Sequence, residues 1–517
     1  MNKIKNLYLL IIAVGSLSFA SCADWLDVDP IDKTLENKQY SDEQGINDIL
    51  NGFYIGMANT DLYGGQLTTT TIENLSHYYF IPSLETILNN TDYQSFYDLQ
   101  TYQYDQSSVE SRFENIWKQA YNTILGINVF IKNIEDNTFL TEGKKASILG
   151  EAHALRAFIH FDLFRLFGPV YAVNPSAESI PYNDSEIFKP YANLSASEFI
   201  QKVTEDISKA KKYLENDPIL EVGVAAYSSN LTTVENFDQR LRNRRFNIIA
   251  VNAFEARVLQ YIGKNDDAAN AAKQVIDLSA TQVIRNNNPV PIFDWMSLAL
   301  GNNGEFNFLT NRNYIFQSEV LFGIENPSMY RNWTNNTTEA SNGRACHVAL
   351  NHLRSNIFDI KSDGSISSHP DIRIRQWQTS AGDDSQYYSV KYWGFGLSAS
   401  NLIYSLQPLI RISEMYYIIA ENHSKNGDLA SASASINEVL LHRNFKTEDL
   451  KAVYTEDEFS SLLEKEYYRE FFGEGQIFFF HKRKQSSKIF NSTGAAGYVD
   501  IEPGAYVIPL PRKELNN

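Results

Sequence analysis

Two stretches of the chain repeat one local design, and that design narrows the fold more than any other feature. In the first, Ala253, Ala256, Arg257 and Tyr261 lead to Gly263, and Ala268-Ala269 open the next segment. In the second, Met415, Tyr416 and Ala420 lead to Gly427, followed by Leu429-Ala430. Small residues at helical spacing let two helices cross closely. The glycine supplies the left-handed residue that ends one helix, and alanine favours the start of the next. A single helical pair cannot bury its apolar stripe, so such pairs must stack on neighbours.

The same period runs along much of the chain. Ser41-Asp42-Glu43 opens a helix with Ile46, Ile49, Leu50, Phe53 and Tyr54 on one side. Another starts near 111 and carries Phe113, Ile116, Trp117, Tyr121, Ile124, Val129, Ile131 and Ile134. Residues 146–167 form a third, ended by Gly168-Pro169. Residues 197–214 form a fourth, capped by Ser195 or Ser197. Residues 247–261 and 268–278 make a pair, and 409–422, 429–443 and 459–472 make a final block. The expected fold is mostly α: a TPR-like scaffold of helical hairpins at about 41–60, 111–280 and 408–475, with a loop-rich, mixed second region. That second region spans about 61–110 and 281–407 and is the expected ligand-facing part. It has Gly64-Gly65, a threonine run at 68–71, and strand-like runs at 314–317 and 387–392. The tail, 506–511, is extended.

The first 21 residues read as a secretory leader. Lys3 and Lys5 precede an apolar run at 7–14, too short for a bilayer core that needs about 20 residues. Leu17-Ser18-Phe19-Ala20-Ser21-Cys22 then places a cysteine where a bacterial lipoprotein signal requires it. Cys22 is the expected lipidated first residue of one mature domain, 22–517, outside the cytoplasm and held to a membrane by lipid. The only other cysteine is Cys346, so a lipidated Cys22 leaves no intrachain disulfide, and stability must come from burial. The formal charge of −17 and the lack of a basic run argue against nucleic acid.

Catalytic motifs are lacking in the sequence: no His-Glu-x-x-His, CxxC, P-loop or Gly-x-Ser-x-Gly occurs. His153 and His160 share a helix face, but two ligands without a third make packed histidines the better reading than a metal pair. Gly394-Phe395-Gly396 lacks the βαβ context of a dinucleotide turn, and Asp359, Asp363 and Gly364 lack the spacing of a calcium loop. Glu464, Glu466, Glu470 and Glu474, near Lys465 and Arg469, read as a salt-bridged helix surface rather than a carboxylate pair for glycoside hydrolysis. No cofactor or metal is called for. The candidate contact residues are aromatics outside the helical periods: Tyr63, Tyr78, Tyr79, Trp295, Tyr330, Trp333 and Trp377. Their rings suit the apolar faces of sugars, with amides and carboxylates nearby for hydroxyls.

Five segments, in order, resemble the SusD/RagB family of Bacteroidetes outer-membrane nutrient-binding lipoproteins. The first is Cys22-Ala23-Asp24-Trp25-Leu26-Asp27-Val28-Asp29-Pro30. The second runs from Glu151 through Leu155-Arg156-Ala157 to Gly168-Pro169-Val170. The third is Arg411 to Tyr416 with Ala420-Glu421 and Gly427, the fourth Glu466 to Gly475, and the fifth Tyr506 to Pro511 with Glu514. After the fourth, Ile477 and Phe480 stand where the family has Arg and Asp. The resemblance implies a non-catalytic lid on a SusC-like TonB-dependent transporter that captures oligosaccharide at the cell surface. The alternatives it leaves are a peptide-binding lid of a RagA-like transporter and, far behind, a surface glycosidase. It assigns Arg156, Arg411 and Glu414 to packing and buried ion pairs.

Overall fold

The computed structural model describes residues 39–81, 91–224, 241–285, 288–296, 313–329, 333, 346–360, 369–380, 383–392, 405–493 and 497–512. The leader, Cys22 and Tyr330 lie outside them. The chain divides into two compact units, Met1–Asn51 and Gly52–Asn517. The described part of the first holds the start of helix α1, Glu43–Met57. There the Asp42 carboxylate accepts from the Gly45 N–H at 2.7 Å.

The second unit is mostly helical. Its helices are α2 (Thr71–Leu75), α3 (Thr91–Gln100), α4 (Ser107–Glu135), α5 (Glu142–Phe167), α6 (Ala196–Tyr213), α7 (Ile248–Tyr261), α8 (Asn265–Ser279), α9 (Ile412–Lys425), α10 (Leu429–Leu441), α11 (Glu456–Glu470) and α12 (Ile477–Lys484). Neighbours pack as the repeated design requires: α4 on α5, α5 on α6, α7 on α8, α8 on α9 and α9 on α10. Gly263 and Gly427 turn the α7–α8 and α9–α10 hairpins with φ of 82° and 78°, values that favour glycine. Ser195 caps α6 in a reciprocal box with Glu198. Asn247 caps α7 and Thr455 caps α11. Helix α5 is buried on all sides from Ile148 to Phe167, so it lies at the centre of the scaffold. No helix among the described residues is long and apolar enough to cross a membrane.

Sheets are small. Strand β1 (Gln282–Arg285) pairs with β2 (Asn288–Pro291), and β3 (Val320–Glu325) pairs antiparallel with a later strand, Leu406–Arg411. Between them, β4 (Val348–Ala349), β5 (Trp377–Ser380) and β6 (Asp383–Ser389) form one sheet in the order β4-β6-β5. The strand Leu406–Arg411, β7, leads directly into α9, which therefore starts three residues later than the apolar pattern suggests. The final pair is β8 (Lys488–Phe490) with β9 (Tyr498–Asp500).

Three expectations change. Residues 61–110 are not all loop, because α2 and α3 lie there, and every residue of α2 is buried. A helix enclosed on all sides shows no amphipathic period in sequence. The same cause hides α12, whose Phe478-Phe479-Phe480 run is buried throughout. The run at 314–317 is a turn, and its strand begins at Val320.

Helix α2 carries a buried carboxyl, Glu73, which accepts from the Gly473 N–H at 2.9 Å. Lys391 attracts it but is itself bonded to Glu474 at 2.6 Å. Burial pushes Glu73 up to about 8. A raised acid is proton-bound in the fold at pH values where the unfolded chain has released it. Its stabilising share is therefore full below the ordinary carboxylate range and lost as pH rises through about 8. Glu73→Gln should flatten that part of the stability profile, by a few kcal/mol between pH 5 and 8. Urea unfolding across this range checks it; parallel profiles for the two proteins would refute it.

Candidate functional site

Five of the seven candidate aromatics are core residues. Tyr78 and Tyr79 are fully buried, and Tyr63, Trp333 and Trp377 nearly so. Four of the five use their polar tips inside the protein. Tyr63 donates to Asp162 Oδ2 at 2.8 Å, Tyr78 to the Tyr468 carbonyl at 3.1 Å, and Tyr79 to the Thr69 carbonyl at 2.6 Å. Trp333 donates from Nε1 to the Ser389 carbonyl at 2.8 Å. Tyr78, Trp377 and Phe472 pack as one cluster, with ring centroids 4.5–5.8 Å apart. A ring closed in on its faces offers none to a ligand, so these five are corrected from candidate contacts to core. Their non-helical setting misled because the segments that carry these five rings are themselves enclosed in the core.

The two histidines are packed as well. His153 Nδ1 bonds to Asp206 at 2.9 Å, and Asp206 also receives Arg156 at 2.6 Å. His160 stacks on Tyr182 at 3.8 Å and accepts the Asn183 N–H at 3.0 Å. Burial pushes His160 down to about 3, so its ring is neutral.

Of the four glutamates expected on a helix surface, Glu464 is half-buried and the other three are enclosed. Glu466, Glu470 and, in the following turn, Glu474 are buried. Arg373 bonds Asp371 at 2.7 Å and both Glu466 and Glu470 at 2.8 Å. Arg411 bonds Glu470 and, at 2.9 Å, Glu474. Arg443 joins Glu470 to Glu319, which it meets at 2.6 Å. Arg469 and Lys391 complete the set on Glu466 and Glu474. Five cations face five carboxylates, so the network is neutral as a whole. Three arginines hold Glu470 well below the usual carboxylate range against the opposing push of burial. Sequence reading found the glutamates by their four-residue spacing and missed Glu319, Asp371, Arg373 and Arg443, whose partners are remote in the chain.

The network runs to Trp295, the one described candidate that is only partly buried. Glu319 Oε1 accepts both Arg443 Nη1 at 3.0 Å and the Met296 N–H at 3.1 Å. The Arg443 guanidinium sits 5.5 Å from the Trp295 ring centre. His442 lies parallel to the indole at 4.4 Å, and Tyr416 tilts against it at 5.2 Å. Burial and the nearby Glu438 carboxylate push the Tyr416 phenol up, and Asp277 adds to this. An indole, a phenol and an imidazole thus share one surface with carboxylates at its rim. With His442 parallel to the indole, it is the exposed edges of such a set that can meet the C–H groups of a sugar and bond its hydroxyls. The Met296 N–H bond to Glu319 ties down the backbone beside the indole.

Two segments of the chain and its fold match a known group of proteins. A family model for starch-binding proteins associating with the outer membrane matches residues 24–229. A second, for the SusD family, matches residues 380–514. The curated SusD-like protein P38 of Formosa agariphila is 24% identical over 317 residues, 60% of this chain. The match spans 51% of that relative's length, so this chain aligns with about half of it. A SusD superfamily crystal structure from Bacteroides thetaiotaomicron superposes with a TM-score of 0.63 at 18% identity, covering 92% of this chain and 97% of that one. A SusD-like carbohydrate binding protein from Bacteroides vulgatus gives 0.63 at 16% identity, covering 91% and 95%. At these identities the superpositions speak for the fold, and the two family models, at opposite ends of the chain, agree on its descent. The chain belongs to the SusD family.

Proposed function

We propose that this protein is a non-catalytic lipoprotein that captures oligosaccharide at the outer membrane and passes it to a SusC-like TonB-dependent transporter. The observation that carries the reading is the match of residues 24–229 to a family described as starch-binding and associating with the outer membrane. The Bacteroides vulgatus neighbour, a SusD-like carbohydrate binding protein, supports the same ligand class. Within the chain, Trp295 is the aromatic platform the reading assigns to the ligand, with Tyr416, His442 and Glu438 around it. Attachment to the membrane is assigned to lipid on Cys22.

The test is Trp295→Ala, with binding measured by calorimetry against soluble glucans and other oligosaccharides. Loss of one stacking contact worth about 1 kcal/mol should weaken binding about fivefold. The indole is only partly buried, so the stability loss should stay below the roughly 3–5 kcal/mol of a core tryptophan. Unchanged affinity for a confirmed glycan would move the site elsewhere. Binding of peptides and of no glycan would replace the ligand class.

A further inference from the structure

We infer, resting on the glycan reading above, that the rim of the Trp295 site selects uncharged glycans and turns away those bearing uronate or sulfate groups, with Glu438 as a specificity-determining residue.

Three carboxylates come to this indole from three separate elements. Asp294, exposed and next in sequence, accepts the Trp295 N–H at 2.8 Å. Glu438, half-buried on α10, brings Oε1 to 3.7 Å from His442 Nδ1, and the His442 ring lies parallel to the indole. Asp277 is exposed on α8, which packs on α9, and its charge reaches Tyr416 there. The Trp295 side chain also bonds the Tyr416 hydroxyl, so the phenol and the indole are one surface. After burial, Glu438 and then Asp277 are what push the Tyr416 phenol up.

The cations nearby do not answer these charges. Among the described residues, the guanidinium on the indole is that of Arg443, and its five N–H groups are all spent inside the protein. Nε goes to Glu470, Nη1 to Glu319 and the His442 carbonyl, and Nη2 to Glu319 and Glu470. Recognition of a carboxylate or sulfate favours an arginine with its fork turned outward. Lys273 is exposed but bonds Asp277 at 3.3 Å. Three carboxylates thus stand against one exposed ammonium, an excess of two negative charges. For a neutral sugar these groups are acceptors for hydroxyls. For a glycan with an acid on each unit they are like charges, which oppose binding.

The experiment uses the whole mature protein at mildly alkaline pH and low salt. An array of neutral, uronate-bearing and sulfated glycans should show neutral binders. Each neutral binder is then compared by calorimetry with its own form whose primary hydroxyls have been oxidised to carboxylates. The oxidised form should bind about tenfold more weakly, and added salt should shrink that gap. Glu438→Gln should narrow the gap about threefold, the worth of one unit charge several ångströms away in water. Asp277→Asn, on the exposed face of α8, also releases Lys273 and should narrow it at least as much, which covers a Glu438→Gln protein that fails to fold. The gap compares two ligands on one protein, so a general loss of stability does not move it. Anionic glycans binding as tightly as neutral ones would overturn the selectivity, and loss of both in Trp295→Ala would leave the glycan reading standing. A gap indifferent to both rim variants would overturn the role of the carboxylates. Binding of no glycan, neutral or charged, would overturn the glycan reading and this inference with it.

Discussion

Glu470→Gln is expected to destabilise the protein by about 3–5 kcal/mol, the usual cost of breaking a buried ion pair from one side. Glu470 is only 1% exposed and bonds Arg373, Arg411 and Arg443. Glutamine keeps the size but removes the charge and turns one oxygen into a donor facing three guanidiniums. Neither neighbouring glutamate can substitute. Glu466 is engaged by Arg373, Arg469 and Tyr417, and Glu474 by Arg411 and Lys391. Urea unfolding gives the number. A loss under about 1 kcal/mol would show that the three arginines do not depend on this carboxylate.

Cys22→Ala should move the protein from the membrane fraction to the soluble fraction almost completely. The basis is the Leu17–Cys22 pattern behind a short apolar run, together with the lack of a membrane-crossing helix among the described residues. The unchanged protein, extracted in mild detergent and pulled down, should bring a large barrel protein in near-equal amount. A stable interface of this kind buries more than about 2,000 Å² and should survive such extraction. A Cys22→Ala protein that still sediments with membranes would refute the lipid anchor. Recovery of the lipoprotein alone would refute the transporter partnership.

The helical hairpins were legible because their signals are local. Gly263, Gly427 and Ser195 each act within a few residues of their own position. The charged residues of the ordered motifs were legible as members of buried pairs: Arg156 meets Asp206, Arg411 meets Glu470 and Glu414 meets Arg257. The candidate site was read less well. Tyr78 and Trp377 lie almost 300 residues apart in sequence and stack at 5.8 Å. Nothing near either residue announces that contact. Aromatic residues outside a helical period look the same in sequence whether they face a ligand or a core built from several remote segments. Trp295 differs only in what it meets at the end of Glu319 and Arg443, again a matter of distant partners.

The charge network also has a direction in time. Synthesis runs from Met1 onward, so Arg373, Arg411 and Arg443 exist before Glu466, Glu470 and Glu474 do. Of the acidic members, only Glu319 and Asp371 come earlier. A nascent chain that has reached residue 460 holds three core arginines with most of their counter-charges still unmade. Closing the region then would bury unpaired guanidiniums, which is strongly unfavourable. The C-terminal glutamates act as a late latch, and truncated chains should remain protease-sensitive through residues 319–443. The protein's core stays open until nearly the last tenth of the chain has been made.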